Sequence, residues 1–332
     1  MKIKKIYYSF QTILEILLSK NLYLINSPQN YISLVEYLKL NNIKDNKTKI
    51  IAGFTSDNSI KQIQKIHASE IGIKNDLIFL KERFNEKLFN FFLKILKILK
   101  ILKILKIKKT FCIVGDKKYI VFKAIYRDAM QVIFLDDGLN LLIFSDDDFK
   151  VKNYKFFSYF DLNNEKLIKN NFSFLKTKVQ VNSVSNNYVW LLGTPASTFG
   201  ILDNNTYSSI IKKFADKFRD KNIIFFPHRD ERVEKMNLPK NIIVNKSISE
   251  PIEIYACKQK TMPFLIAGFY TTALHILSII LNERKIILMN INFNINLVET
   301  AKLKKRYNLV NLKEQYNLVK GILEKNSIQN FF

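Results

Sequence analysis

The feature of this chain that most constrains its fold is a regular alternation of short apolar runs with helical stretches. Residues 21–27 and 49–54 are apolar runs, and each is followed by a segment of helical character. Short runs rich in β-branched and aromatic residues are typical of buried strands. Parallel strands need long crossover connections, which helices normally supply. The alternation therefore predicts an α/β protein with parallel sheets of Rossmann type.

The alternation stops once and then resumes, which predicts two domains in a chain of 332 residues. Residues 140–184 are rich in Asn, Lys and Asp and are predicted to be loop and connector. We predict a Rossmann-like N-terminal domain at 1–180, a Rossmann-like C-terminal domain at 181–296 and a helical tail at 297–332. The predicted strands are 21–27, 49–54, 76–80, 110–115 and 132–135, and then 188–192, 222–226, 242–244, 264–267 and 285–289.

Two adjacent carboxylates follow one predicted strand of the first domain. The run Val-Ile-Phe-Leu ends in Asp136, Asp137 and Gly138. Ligands of open parallel sheets bind outside the carboxyl ends of the strands, and a carboxylate there can accept the proton of an attacking hydroxyl. A solvated turn after a strand is the alternative interpretation of the same residues.

Polar residues also follow three predicted strands of the second domain. Gly193 and Thr194 follow the first of these strands, and the backbone beside a glycine can approach a nucleotide closely. His228 and Arg229 follow the second, where both side chains could donate hydrogen bonds to a phosphate. Thr271 and Thr272 combine hydroxyls with a predicted helix N-terminus, which also favours phosphate; a plain helix cap is the alternative for Thr271.

Three further acids are candidates for the same predicted edge of the second sheet. Asp203 lies in the loop after the 188–192 strand and is a third candidate for the catalytic base. Glu231 and Glu253 are candidates for binding ribose hydroxyls or cytosine. For both glutamates, a solvated or helix-capping role is the alternative.

Composition narrows the classes of partner. Lys and Arg number 53 against 29 Asp and Glu, so the formal net charge is +24. Such an excess attracts polyanions, whether nucleic acid, an anionic bilayer or a nucleotide substrate. The two cysteines, Cys112 and Cys257, have no metal-ligand spacing, and only three histidines are present, so we expect no metal site and a reduced, cytoplasmic protein.

A Leu-Lys-Ile repeat at 93–107 predicts a helix over about 90–109, with lysines winding around its surface. Five lysines prevent this segment from spanning a bilayer, but it could lie on an anionic inner-membrane surface. A long surface helix with no binding role is the alternative. The N-terminal segment resembles a signal peptide only in its first residues, and we expect neither secretion nor a membrane span.

Together these blocks resemble glycosyltransferase family 52, the bacterial lipooligosaccharide sialyltransferases, and more distantly the bacterial polysialyltransferases. The resemblance covers most of residues 20–290 and follows the family's order. The matching blocks are residues 21–29 with the Ser27-Pro28 turn, Asp136-Asp137-Gly138, Pro227-His228, Glu250-Pro251-Ile-Glu253 and Thr271-Thr272-Ala-Leu. Arg229 stands where the family usually has Pro.

The resemblance implies two Rossmann-like domains facing a cleft, the GT-B architecture, and an inverting transfer of sialic acid from CMP-sialic acid to a terminal sugar. That sugar would be galactose of a lipooligosaccharide or another surface glycan, and no metal or other cofactor is implied. In this scheme Asp136 is the base, Asp137 its alternate, and His228 protonates or hydrogen-bonds the departing phosphate. The expected substrate-binding residues are Ser27, Gly138, Gly193, Thr194, Arg229, Glu231, Glu253, Thr271 and Thr272.

Two alternatives differ in their partners. One is a glycosyltransferase of the same fold that uses another nucleotide-sugar donor. The other is a basic nucleic-acid-binding protein, which the charge favours but for which the chain offers no recognition motif. We therefore expect a nucleotide-sugar donor, a glycan or glycolipid acceptor, no nucleic acid and a possible homodimer.

Overall fold

In the computed structural model the chain forms two compact units, Met1–Ser173 and Phe174–Phe332. The boundary between the two units lies between residues 173 and 174, whereas the sequence predicts it at residue 180. The structure describes residues 12, 15–16, 18–44, 47–83, 110–116, 120–126, 129–136, 153–161, 164–198, 201–245, 249–293, 317, 320–325 and 328–331. The Leu-Lys-Ile repeat, Asp137 and Gly138 lie outside these residues.

The first unit is built on a parallel sheet of seven strands in the order β3-β2-β1-β4-β5-β6-β7. The strands are β1 (Asn21–Ile25), β2 (Lys49–Ala52), β3 (Leu77–Phe79), β4 (Phe111–Val114), β5 (Gln131–Leu135), β6 (Tyr154–Ser158) and β7 (Leu167–Lys169). The helices are α1 (Pro28–Leu40), α2 (Asp57–His67), α3 (Leu80–Arg83) and α4 (Ile120–Tyr126), and α5 (Ser173–Lys176) begins at the unit boundary. The order of the first six strands is that of a Rossmann fold.

The second unit repeats this plan with six parallel strands in the order β10-β9-β8-β11-β12-β13. They are β8 (Ser183–Leu192), β9 (Asn222–Phe226), β10 (Ile242–Val244), β11 (Thr261–Gly268), β12 (Ile287–Ile291) and β13 (Gln329–Phe331). The helices with described bounds are α6 (Asn204–Lys217), α7 (Ile252–Cys257) and α8 (Thr272–Ile280), with a 3₁₀ turn at Val233–Lys235. The α/β fold with two Rossmann-type units is confirmed.

Local sequence explains where the elements begin. The Ser27 hydroxyl accepts a hydrogen bond from Asn30 N at 3.1 Å, and Pro28 opens α1, where the missing N–H costs no helical bond. The strands behind these turns are mostly apolar. Leu22, Leu24, Cys112 and Val114 are completely buried on one face of the first sheet. On the other face Tyr23, Ile25 and Ile113 are buried too, so both faces of the sheet are covered.

Two sequence-based expectations are wrong in part. Residues 140–184 are not merely connector, because β6 and β7 lie in this range and extend the first sheet. The expected helical tail is helical at 320–325, but it ends in β13, which pairs with β12. All three strands are short, so their pairing with neighbouring strands, rather than their own sequence pattern, defines them.

No helix among the described residues is long and apolar enough to cross a bilayer. Cys112 and Cys257 are free thiols, and both are buried.

Candidate functional site

The polar residues of the second unit gather at the carboxyl edge of its sheet. In the order β10-β9-β8-β11-β12-β13, the connections leave in opposite directions from β8 and β11, which makes this pair the switch point of the sheet. Leu192 and Gly268 end these two strands and are register partners. Gly193 and Thr194 therefore lie beside the loop that leads to Thr271 and Thr272, where a doubly wound sheet binds its ligand.

Glu231 connects the loops after β8 and β9. Its Oε2 accepts a hydrogen bond from His228 N at 2.7 Å, which closes the turn that carries His228 and Arg229. The same oxygen would lie 2.0 Å from a Cβ at Gly193, so a side chain at this position would displace the carboxylate from its contact with the loop after β8. The spacing of these residues in the sequence gave no indication of this contact.

Tyr207 of α6 extends the connection. Its fully buried hydroxyl accepts a hydrogen bond from Thr194 N at 3.1 Å and is hydrogen-bonded to the Glu231 carboxyl group. Burial raises the pKa of Glu231 to about 7, against the smaller lowering effects of the Tyr207 and His228 hydrogen bonds. Near neutral pH, Glu231 is thus poised between its charged and neutral forms.

His228 is an uncharged hydrogen-bonding group at neutral pH. Burial, with a further contribution from the adjacent Arg229 charge, lowers the pKa of His228 to about 3. Its Nδ1 accepts a hydrogen bond from Asp230 N at 3.2 Å, which assigns the ring proton to Nε2. The side chain remains 30% exposed, so this N–H can meet a ligand.

Arg229 is associated with two acids. Its Nε lies 3.8 Å from Asp230 Oδ2. Burial lowers the pKa of Arg229, and the charges of Asp230 and Glu253 oppose that shift. Burial in turn raises the pKa of Glu253, which lies in the first turn of α7, while its own backbone N–H and Arg229 lower it. Glu253 therefore helps to retain the positive charge of Arg229 at this edge.

Thr271 is the N-cap of α8, and its hydroxyl accepts a hydrogen bond from Ala273 N at 3.2 Å. Its methyl group packs so closely on Gly268 that a Cβ there would lie 2.9 Å from Cγ2. Thr272 is the first residue of α8. The structure thus assigns Thr271 the capping role that the sequence left open, and places both threonines at a helix N-terminus on the switch point.

Asp203 also has a capping role. Its Oδ1 accepts hydrogen bonds from Asn205 N and Thr206 N, both at 2.9 Å, and its Oδ2 accepts one from the Thr206 hydroxyl at 2.5 Å. These bonds define the start of α6.

In the first unit, Asp136 is completely buried at the end of β5. Its Oδ1 accepts a hydrogen bond from Ser158 Oγ at 2.5 Å, and its Oδ2 accepts one from Tyr159 N at 3.0 Å. The carboxylate therefore fixes β5 to the end of β6. This bond pair was not foreseen, because β6 itself was not.

In the first sheet the connections leave in opposite directions from β1 and β4, which makes that pair its switch point. Asn30 lies at its centre, and sequence reasoning missed this residue. Its Nδ2 donates to Asp136 O at 2.6 Å and its Oδ1 accepts from Asn26 N at 3.0 Å. A Cβ on Gly115 would lie 2.4 Å from its Cγ. This buried amide joins the ends of β1, β4 and β5, and Ser27 stands beside it as the cap of α1.

Among the described residues, no group of three His, Cys, Asp or Glu side chains is arranged to hold a metal ion.

Comparison with known proteins gives distant structural similarities only. No family model matches the chain, and no curated protein matches it. A protein assigned as a UDP-N-acetylglucosamine 2-epimerase from Listeria monocytogenes is similar over 90% of this chain and 89% of its own, with 9% identity and a TM-score of 0.46. MurG from Acinetobacter baumannii is similar over 93% and 95%, with 10% identity and a TM-score of 0.38.

The glycosyltransferase SnogD from Streptomyces nogalater is similar over 93% of this chain and 96% of its own, with 10% identity and a TM-score of 0.33. The fold is assigned from the strand order of the two sheets, because structural similarities with TM-scores this low do not establish a fold.

Proposed function

We propose that this chain is a glycosyltransferase whose second unit binds the nucleotide part of a nucleotide-sugar donor. One observation carries the proposal: the His228-Arg229 turn is fixed by Glu231 against Gly193 at the carboxyl edge of a sheet with Rossmann strand order. Ligands of such sheets bind at this edge, and the side chains gathered there suit a phosphate.

The donor's phosphate would be held from two sides. His228 offers Nε2–H, and Arg229 offers a guanidinium that can form charge-assisted hydrogen bonds. From the loop after β11, Thr271 and Thr272 bring hydroxyl groups and the positive end of the α8 dipole.

For the finer specificity we propose CMP-sialic acid as the donor and a terminal galactose as the acceptor, on the strength of the ordered blocks from Ser27 to Thr272. The acceptor oxygen would bond to the anomeric carbon with inversion while the bond from that carbon to the phosphate oxygen breaks. The electron pair leaves with CMP. His228, with a pKa of about 3, would stabilise the departing phosphate by hydrogen bonding rather than by donating its proton.

The proton of the acceptor hydroxyl needs a base, which we propose to be Asp137. Asp136 is buried, and both of its carboxylate oxygens accept hydrogen bonds from β6 and the residue after it. A general base must reach the proton it removes. Asp136 would instead support its neighbour by fixing the end of β5.

The test is titration of the purified protein with CMP and UDP, followed by turnover with CMP-sialic acid and a galactoside. We expect CMP to bind more tightly than UDP. His228→Ala and Asp137→Ala should each lower turnover by about 10²-fold or more, as for loss of a phosphate-stabilising group or a general base. His67→Ala, which removes a histidine of the first unit, serves as the control and should keep turnover.

Three results would count against the proposal. Tighter binding of UDP would exclude CMP-sialic acid as the donor but would leave the proposal of a glycosyltransferase standing. Near-normal turnover in His228→Ala would reject the phosphate assignment. Salt-sensitive binding of duplex DNA, with no binding of either nucleotide, would reject the enzyme proposal and would favour a nucleic-acid-binding protein.

A further inference from the structure

The loop between β11 and α8 contains a strained residue beside the proposed phosphate site. Tyr270 has a φ of 43°, in the left-handed region that bulky residues rarely adopt. Such strain persists only where surrounding contacts enforce it, and it often lies at ligand sites. The next residue is Thr271, the N-cap of α8.

Three asparagines hold Tyr270 in this conformation. Asn290 of β12 is completely buried, and its Oδ1 accepts a hydrogen bond from Tyr270 N at 2.9 Å. Its Nδ2 donates to Asn292 Oδ1 at 2.8 Å and to Asn330 Oδ1 at 3.3 Å. The Tyr270 hydroxyl donates to Asn292 Oδ1 at 2.5 Å, and its ring stands edge-on to Phe293 at 5.3 Å.

Backbone register explains how these side chains meet. Asn290 is the register partner of Gly268 in β11 and of Asn330 in β13. Its amide therefore stands between the strand that ends at the phosphate loop and the last strand of the sheet. Asn330 is oriented in turn by Glu324, whose Oε1 accepts from its Nδ2 at 3.4 Å.

We propose that Asn290, Asn292 and Asn330 are positioning residues that set the phosphate loop through Tyr270. This inference rests on the proposed function. The network fixes the direction in which the chain enters α8, and so the placement of Thr271 and the helix N-terminus against the donor's phosphate. The last strand, β13, thereby contributes to nucleotide binding without lying at the ligand.

The test compares nucleotide affinity in Asn290→Ala and in a matched control. The chain offers one in Asn170→Ala, because Asn170 is also buried and its Oδ1 accepts from the N–H of a left-handed aromatic residue, Phe172, at 3.0 Å. Phe172 has a φ of 49° and belongs to the first unit. If both asparagines had a purely structural role, Asn290→Ala and Asn170→Ala would change nucleotide affinity equally.

Calorimetric titration with CMP and UDP should show affinity about tenfold weaker in Asn290→Ala, the loss that corresponds to releasing one strained residue. Asn170→Ala should leave affinity unchanged. Amide hydrogen exchange should become faster at Tyr270 and Ala273 in Asn290→Ala only.

Asn330→Ala keeps the inference testable if Asn290→Ala folds poorly. Asn330 is exposed and accepts a hydrogen bond from Asn290, so its loss should weaken nucleotide affinity by a smaller factor than the loss of Asn290. Where Asn290→Ala does fold, Tyr270→Gly supplies a further test, because glycine adopts the left-handed conformation without strain. In a Tyr270→Gly background, adding Asn290→Ala should change affinity less than it does in the parent.

The outcomes separate this inference from the proposed function. If the parent protein binds neither nucleotide, the proposed function fails and the inference fails with it. If the parent binds but Asn290→Ala and Asn330→Ala bind equally well, or if the Tyr270 and Asn290 effects simply add, only the positioning role is overturned.

Discussion

At the scale of single residues, the site depends on groups whose ordinary ionisation is altered by burial. Burial lowers the pKa of His228 to about 3 and raises that of Glu231 to about 7. The histidine is therefore neutral through the physiological range, and the glutamate is the group that titrates there. A sequence-based view, in which histidine is the natural acid or base, reverses these roles.

Glu231→Gln tests this assignment through folding stability. Because the folded pKa lies above the ordinary value of 4.5, the native state binds more protons than the unfolded state between about pH 4.5 and 7, so this group reduces stability as pH rises through that window. The unfolding free energy of Glu231→Gln relative to the parent should therefore rise by about 1–3 kcal/mol from pH 5 to pH 8.

Chemical denaturation at a series of pH values measures this difference directly. The opposite trend from His228, whose lowered pKa costs stability as pH falls below about 6.5, is common to both proteins and cancels in the comparison. Parallel stability curves for the two proteins would show that Glu231 does not titrate in this range.

At the scale of elements, helix beginnings in the second unit carry polar side chains that look catalytic in the sequence. Asp203 is the clearest case, because the same carboxylate that follows a predicted strand is the N-cap of α6. Thr271 is an N-cap as well, but it also adjoins the switch point. Position relative to the sheet edge, rather than residue type, separates a cap from a ligand-binding group.

Two substitutions at Asp203 distinguish the cap from a base. Asparagine caps helices about as well as aspartate, whereas alanine costs about 0.5–2 kcal/mol of stability. Thermal or urea unfolding should therefore show a loss in Asp203→Ala and little change in Asp203→Asn, while both variants keep turnover. A large drop in turnover in Asp203→Asn would instead make this carboxylate the catalytic base.

At the scale of the whole molecule, each unit has a hydrophobic core among its described residues, and the two cores are of similar construction. Phe156 of β6 is 2% exposed in the first core, and Phe331 of β13 is 5% exposed in the second, where it contacts Phe214. Both phenylalanines belong to strands that the sequence pattern did not reveal. One side of each sheet is thus completed by strands whose short sequences do not identify them.

Alanine substitutions, one in each core, should show that each core loses stability independently of the other. Phe156→Ala and Phe331→Ala should each cost about 3–5 kcal/mol, the usual loss for a buried phenylalanine. Hydrogen exchange read strand by strand should place the loss in β1–β7 for the first variant and in β8–β13 for the second. Equal loss of protection in both sheets would show that the units unfold as one.

The sequence by itself determined the α/β class, the central strands and the strand ends that carry polar residues. Short apolar runs such as 132–135 and 189–192 are buried throughout, so their hydrophobicity alone specifies them. The Ser27-Pro28 turn is equally local, since a cap and a first-turn proline act on adjacent backbone groups.

Only the tertiary structure decided what those polar residues do. Asp136 binds Ser158, Glu231 meets Gly193, and Asn290 reaches Tyr270 across strands separated by tens of residues in the chain. Such contacts depend on strand order and register, which are set by the packing of the whole sheet rather than by any local pattern. Burial follows from the same packing, and it alone makes His228 neutral and leaves Glu231 to titrate.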